Sequence, residues 1–302
     1  MSSLYIGTAG WSYPHWNGVV YPKSNAPGNH PLEIVSRYLG LVEINSSFYQ
    51  FLKPELVKLW IKKVESHPNF LFTAKLHQRF THSRILDDGE IAAFKEGLRP
   101  LLKSGRMGAL LMQFPWSFRF TAENQEFFIR LRRAFHEFPL AAEMRHSSWM
   151  AEEAVGTFLD YRVAFCNIDQ PEYTRAMPPT ALLTSGIGYV RLHGRNPANA
   201  LGSYGRDAQY SGRLRQHDYL YDESELAAWM KRIEQISRFA DRTFVVFNND
   251  AGGKSFVNAL QLQATMTGVR GAAPRDLRRK YPVQLAPFDP AYAEQQCLFT
   301  AA

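Results

Sequence analysis

Cysteine is nearly absent: the 302 residues hold two, Cys166 and Cys297, too few for a disulfide framework and not arranged as a Cys-x-x-Cys pair. Cys166 lies in an apolar run and reads as a small core residue. No run of eighteen apolar residues occurs, and the start Met1-Ser2-Ser3-Leu4-Tyr5 lacks a charged stretch followed by an apolar one. Neither a membrane span nor a secretory leader is expected, and the expected location is the cytoplasm. His-Glu-x-x-His and Cys/His metal spacings are missing, as is any Ser or Cys nucleophile motif. The early glycines, Gly7-Thr8-Ala9-Gly10, run into Trp11-Ser12-Tyr13-Pro14 rather than into a helix, which argues against a dinucleotide fingerprint.

What is present is ordinary globular composition, 45% hydrophobic and 21% charged, with a formal charge of +7 that favours anionic partners such as nucleic acid or phosphorylated metabolites. Eight short segments read as strands: Leu4–Gly7, Leu41–Asn45, Phe70–Leu76, Gly108–Phe114, Leu140–Arg145, Arg162–Asp169, Gly188–His193 and Thr243–Asn248. Most precede helical patterns, among them Pro54–Val64, Gly89–Leu102, Thr121–Phe135, Ser148–Tyr161, Glu223–Phe239 and Lys254–Met266, with Thr121 and Asp222 as N-caps. The sixth unit offers only a short helix around Pro178-Pro179, and the seventh connection is long, from Gly194 to Tyr221, as functional loops are. Eight β/α pairs at this length predict a (β/α)8 TIM barrel over residues 1–267. Residues 268–302 carry Arg270, Arg275, Arg278, Arg279, Lys280, Pro282, Pro287 and Pro290 without periodicity, which predicts a basic, extended or disordered C-terminal tail.

Chemistry gathers at the strand ends. In Tyr189-Val190-Arg191-Leu192-His193-Gly194-Arg195, alternation sets Tyr189, Arg191 and His193 on one face. A guanidinium and an imidazole on a buried strand call for an acidic or anionic partner. Polar residues two apart recur: Glu43 and Asn45, Lys75 and His77, Gln113, Glu143 and Arg145 followed by His146, Asn167 and Asp169, then Asn248, Asn249 and Asp250. Barrel enzymes place their sites at these ends, so the set predicts a polar basin. In it Glu43 and Glu143 pair with Lys75, Arg145 and Arg191 and leave an excess of donors suited to phosphate or carboxylate. Taken singly, each residue reads rather as part of an internal ion-pair network plugging the barrel top; taken together, the set reads as a site.

Catalysis, on this reading, is general acid/base work by Glu43, Glu143 or His193, with Arg191 and Lys75 stabilising developing negative charge. Substrate contacts are expected from Trp11, Tyr13, Asn45, Tyr49, Gln113, Arg145, Trp149, Asp169, Arg195, Tyr204, Asn248 and Asn249, the aromatic members offering faces for bases or sugars. Trp16, Trp116, Phe48, Phe118, Tyr210, Tyr219 and Tyr221 join them in βα loops. No cofactor is called for. A hard divalent ion on Glu43, Glu143, Asp169, His193 and Asp250 is the lesser alternative, because nearby Arg and Lys compete for the same carboxylates.

The motifs Gly7-Thr8-Ala9-Gly10-Trp11-Ser12-Tyr13, Glu43-Ile44-Asn45-Ser46-Ser47-Phe48-Tyr49, Phe72-Thr73-Ala74-Lys75 with Thr81-His82, Leu111-Met112-Gln113-Phe114-Pro115, Glu143-Met144-Arg145-His146-Ser147-Ser148-Trp149, Tyr189 to Arg195, and Phe247-Asn248-Asn249-Asp250 together resemble the YecE-like family, domain of unknown function 72. The resemblance spans roughly residues 4–267 and implies a TIM barrel; it leaves the reaction open. The histidine-rich three-metal set of endonuclease-type barrels is not visible. Near the C-terminus, Gln295-Gln296-Cys297-Leu298-Phe299 resembles the bacterial sliding-clamp-binding motif, in which Leu298 and Phe299 would fill an apolar pocket while Gln295 sets the register. The alternative is that Leu298 and Phe299 tuck back onto the barrel. Three functions stand open: an enzyme acting on a phosphate-bearing substrate such as nucleic acid, an enzyme for a small phosphorylated or carboxylated metabolite, and a non-catalytic adaptor.

Overall fold

The computed structural model describes residues 3–23, 30–196 and 217–289. Runs that are apolar on both faces form strands that must be covered on both sides, and parallel strands need long crossovers between them. Both conditions are met by closure. Eight strands, β1 (Ser3–Ala9), β2 (Leu41–Ile44), β3 (Leu71–Lys75), β4 (Met107–Gln113), β5 (Leu140–Glu143), β6 (Ala164–Asp169), β7 (Ile187–Leu192) and β8 (Arg242–Phe247), pair in sequence order, and β8 returns to β1. All pairings are parallel. The chain is therefore the TIM barrel that the strand count predicts.

Helices follow as α1 (Pro31–Ser36), α2 (Pro54–Lys63), α3 (Gln78–Thr81), α4 (Asp88–Lys103), α5 (Ala122–Ala134), α6 (Glu152–Asp160), α7 (Glu223–Ser237), α8 (Lys254–Thr267) and α9 (Arg275–Lys280). Thr121 and Asp222 cap α5 and α7 as expected: the Thr121 hydroxyl accepts from Asn124 N, and the Asp222 carboxylate from Glu225 N. Close packing of α4 depends on Gly97, where an added Cβ would stand 2.3 Å from the Leu52 carbonyl oxygen. None of the described helices is long and apolar enough to cross a membrane.

Two expectations fail. After β6 no helix forms among the described residues; the segment is instead held by Asn167, whose Oδ1 accepts from Leu182 N and Thr180 Oγ1, both at 2.7 Å, while its Nδ2 donates to the Leu182 carbonyl. Side-chain bonds thus satisfy backbone that a Pro-Pro sequence keeps out of a helix. The tail expectation also needs correction over residues 268–289. That stretch includes α9 and buries Leu277, Tyr281, Leu285 and Phe288 against the barrel. Those four residues are spaced four, four and three apart, a helical stripe that the surrounding arginines and prolines mask. Lys280 Nζ and Tyr281 Oη donate to the Gly252 carbonyl at 3.1 and 3.0 Å, which fixes this basic segment beside the loop after β8.

Candidate functional site

Register decides which side chains meet. Ile168 pairs with Arg191 and Asp169 with Leu192, so Arg191 faces the barrel axis while Asn167 and Asp169 face away from it. On the axis side, Arg191 Nη2 lies 2.7 Å from Glu43 Oε1 and Nη1 lies 2.5 Å from Glu143 Oε2, with all three side chains fully buried. Tyr189 Oη donates to Glu43 Oε2 at 3.0 Å. Arg145 Nε stands 2.6 Å from Glu143 Oε1, and His193 Nε2 stands 3.3 Å from the same oxygen. Asn248 Nδ2 lies 3.0 Å from His193 Nδ1, and the orientation of this amide fixes which ring nitrogen carries the proton.

Burial would raise the Glu143 carboxyl, but Arg145, Arg191 and His193 overcome it and hold the group well below the usual carboxylate range. Arg191 stays protonated for the reciprocal reason: burial disfavours its charge, and Glu143 and Glu43 more than restore it. Burial and then Arg145 push His193 well below the ordinary imidazole value, so the ring is neutral at pH 7. The bottom of the basin is therefore a charge-paired layer around the buried Glu43, Glu143 and Arg191, and a carboxylate held as firmly ionised as Glu143 is a weak proton acceptor.

The layer above differs. Lys75, at the end of β3, is partly exposed, and its Nζ lies over the Phe48 ring, 5.4 Å from the centroid. It makes no ion pair with a described residue, because the carboxylates below are already taken by Arg145 and Arg191. Burial, with Arg191 next, lowers its ammonium to about 8, Glu43 and Glu143 acting in the opposite sense. Asp250, after β8, is displaced in the opposite sense: burial raises it to about 7. Its Oδ2 is 3.5 Å from His15 Nε2. Two groups brought toward neutrality from opposite directions are the mouth's acid/base candidates.

Asn45 and Gln113 reach this layer with Oδ1 and Oε1 buried and without a hydrogen-bond partner among the described residues. Asn45 Nδ2 also bounds the space over Gly10, whose φ of +85° turns the chain after β1 and whose missing Cβ leaves room for the Tyr13 hydroxyl. Tyr13 donates that hydroxyl to the Ala9 carbonyl. Tyr49 is 54% exposed at the rim.

Other expected contacts lie elsewhere. Asp169 pairs with Arg195 at 3.0 Å, and Arg195 with Glu225 at 2.9 Å, on the outer side of β6 and β7 near Tyr219 and Tyr221. Asn249 is buried and braces loops through the Tyr219 carbonyl and Asn258. Trp149 is fully buried, parallel to Phe118 at 5.4 Å, and Trp11 packs edge-on against Trp60 at 4.9 Å. Both indoles are buried by core packing rather than presented to a ligand. Tyr204, Tyr210, Gln295, Leu298 and Phe299 lie outside the described residues.

His82 joins the mouth without having been singled out as a contact. Burial, then Lys75 and Arg145, drive it down to about 4, which places its ring in the field of both cations. Its appearance in the Thr81-His82 motif was the available signal. Among the described residues no cluster of three or more His, Cys, Asp or Glu is arranged to hold a metal ion.

A parallel eight-stranded barrel with a paired, buried charge layer under a mouth rich in cations defines the class of protein. Within it, the chain belongs to the DUF72 family, described as "Protein of unknown function DUF72", which matches residues 5–280. YunF of Bacillus subtilis, a UPF0759 protein, is 30% identical over 291 residues, covering 91% of this chain and 99% of that one. YecE of Escherichia coli K12 is 28% identical over 151 residues, about half of each chain (49% and 51%). A DUF72 protein of Thermotoga maritima superposes with a TM-score of 0.75 at 28% identity, over 88% of this chain and 99% of that structure. One of Enterococcus faecalis gives 0.74 at 25% identity, over 87% and 95%.

Proposed function

We propose that the barrel mouth binds the phosphate of a substrate and acts on it, with nucleic acid as the favoured substrate class. The observation that carries the reading is the charge count at the axis: two carboxylates, Glu43 and Glu143, against three cations, Arg145, Arg191 and Lys75, with the third cation left over at the exposed side. Phosphate oxygens supply the missing negative charge and accept from Lys75 and Arg145 in a site of low dielectric, where such bonds are strong. Glu43, Glu143 and Arg191 hold this arrangement from below, and Asp250 and Lys75 are the proton-transfer groups. Nucleic acid is favoured over a small metabolite by α9, a short basic helix carrying Arg275, Arg278, Arg279 and Lys280, whose Lys280 reaches the loop after β8. The reading calls for a cytoplasmic protein without a resident cofactor. It takes Gln295, Leu298 and Phe299 as a ligand for a DNA sliding clamp.

Fluorescence anisotropy with a labelled oligonucleotide tests it. Affinity is expected to fall by about 10²-fold or more between 50 and 200 mM salt, with a shallower slope for Lys75→Gln. Absent or salt-indifferent binding refutes the nucleic-acid form. A melting-temperature rise with phosphosugars, and none with oligonucleotides, selects the small-metabolite form, for which one unpaired cation suits one phosphate.

A further inference from the structure

Binding leaves one property of the mouth unused. Lys75 projects from the end of a rigid strand, partly exposed, without an ion-pair partner among the described residues, and beside the aromatic face of Phe48. Two guanidiniums, Arg191 and Arg145, stand in its surroundings, and the two carboxylates that would favour its ammonium are held by those same guanidiniums. A primary amine with guanidiniums around it and no carboxylate paired to it among the described residues is a nucleophile in the making.

We infer that Lys75 forms an imine with the carbonyl carbon of a phosphate-bearing aldehyde or ketone. The phosphate in this statement rests on the reading given under the proposed function; the imine does not. The Nζ lone pair attacks the carbonyl carbon and forms the C–N bond, while the C=O π pair moves to oxygen, which takes a proton. Both protons that the oxygen takes are ones the nitrogen gives up: the first makes the carbinolamine hydroxyl, the second lets it leave as water as the nitrogen lone pair forms C=N, and the nitrogen's remaining hydrogen stays on the iminium, so ammonium plus carbonyl give iminium plus water. No oxidant or reductant is consumed. The iminium keeps the positive charge where the ammonium stood, so the buried layer beneath needs no rearrangement. Arg145 carries the phosphate in addition to its bonds to Glu143, Gln170 and His193, and Asn45 Oδ1 and Gln113 Oε1, both buried acceptors without partners among the described residues, meet the substrate's hydroxyls. The lowering of the amine to about 8 means that at pH 7.5 a sizeable fraction is already deprotonated, which an ordinary lysine lacks.

The shared ligand chemistry can be supplied by a sugar phosphate or by the aldehydic form of a base-free deoxyribose in DNA. The full chain is incubated separately with glyceraldehyde 3-phosphate, with glyceraldehyde, and with an oligonucleotide carrying an abasic site, each with sodium cyanoborohydride, and the adduct is located by peptide mass spectrometry. Lys75 is expected to be trapped about ten-fold or more faster than Lys254 or Lys280 by a phosphorylated probe, with half-maximal rate near pH 8 rather than above 10. Lys75→Arg keeps the charge and loses the adduct. Whichever phosphorylated probe reacts names the source. Equal trapping by glyceraldehyde and glyceraldehyde 3-phosphate upholds the imine and overturns the phosphate reading. Trapping of Lys75 no faster than that of Lys254 and Lys280 with all three probes overturns the inference.

Discussion

Replacing Lys75 by methionine should make the protein more stable. Methionine matches the aliphatic stem and removes a cation that the fold holds at a cost. The ammonium is displaced from 10.5 to about 8, with burial and then Arg191 as the causes; at ~1.36 kcal/mol per pH unit this is about 3 kcal/mol of destabilisation at neutral pH. Part of the side chain meets solvent, which screens the charge, so the expected gain is about 1–3 kcal/mol, or about 2–5 °C in Tm for a chain of this size. The sign with pH follows from linkage. A lysine whose folded value is depressed binds fewer protons folded than unfolded between pH 8 and 10.5, so wild-type stability recovers as pH rises through that window. The advantage of Lys75→Met is therefore full at pH 7, begins to narrow near pH 8 and closes toward pH 10.5. Urea denaturation of both proteins at pH 6.5, 8 and 9.5 measures it. A methionine variant that is less stable at pH 7, or a difference that stays level across the three pH values, refutes the reasoning.

The remaining expectations concern the neighbours. Glu143→Gln leaves the buried Arg191 and the partly exposed Arg145 beside a neutral amide, and breaking a buried pair such as Arg191–Glu143 costs about 3–5 kcal/mol; a urea midpoint unchanged from wild type would show that the layer contributes nothing. Asp250, whose carboxyl burial raises from 3.8 to about 7, keeps a proton in the folded state that the unfolded chain has lost. Wild-type stability should therefore fall as pH rises from about 4 to 7, by up to about 4 kcal/mol, and stay low above. Asp250→Asn should remove that slope, as read from urea midpoints at pH 4.5 and 7.5, and a slope retained in the variant would count against the assignment.

The barrel was legible because it follows from local rules. Eight apolar runs with helical patterns between them leave few arrangements, and Thr121 and Asp222 mark helix starts by chemistry that acts over three residues. Spacing by two also placed Glu43, Lys75, Glu143, Arg191 and His193 on inward faces, since alternation is a property of the strand itself. Alternation misled at β6: the same spacing is carried by Asn167 and Asp169, but the pairing of Ile168 with Arg191 turns both outward. Trp11 and Trp149 fall in loops by sequence and in the core by packing, for a loop position says nothing of which side of the loop a side chain takes.

The chain alone thus fixed how many strands there are, where they lie and which charged residues sit at their ends, because these depend on neighbours a few residues apart. Only the closed barrel decided that Arg191 is consumed by Glu43 and Glu143, that Lys75 is left over, and that Asp250 and Lys75 titrate toward neutrality. Those outcomes depend on distances between residues as many as 235 positions apart and on how much water the fold removes around them, and sequence spacing encodes neither.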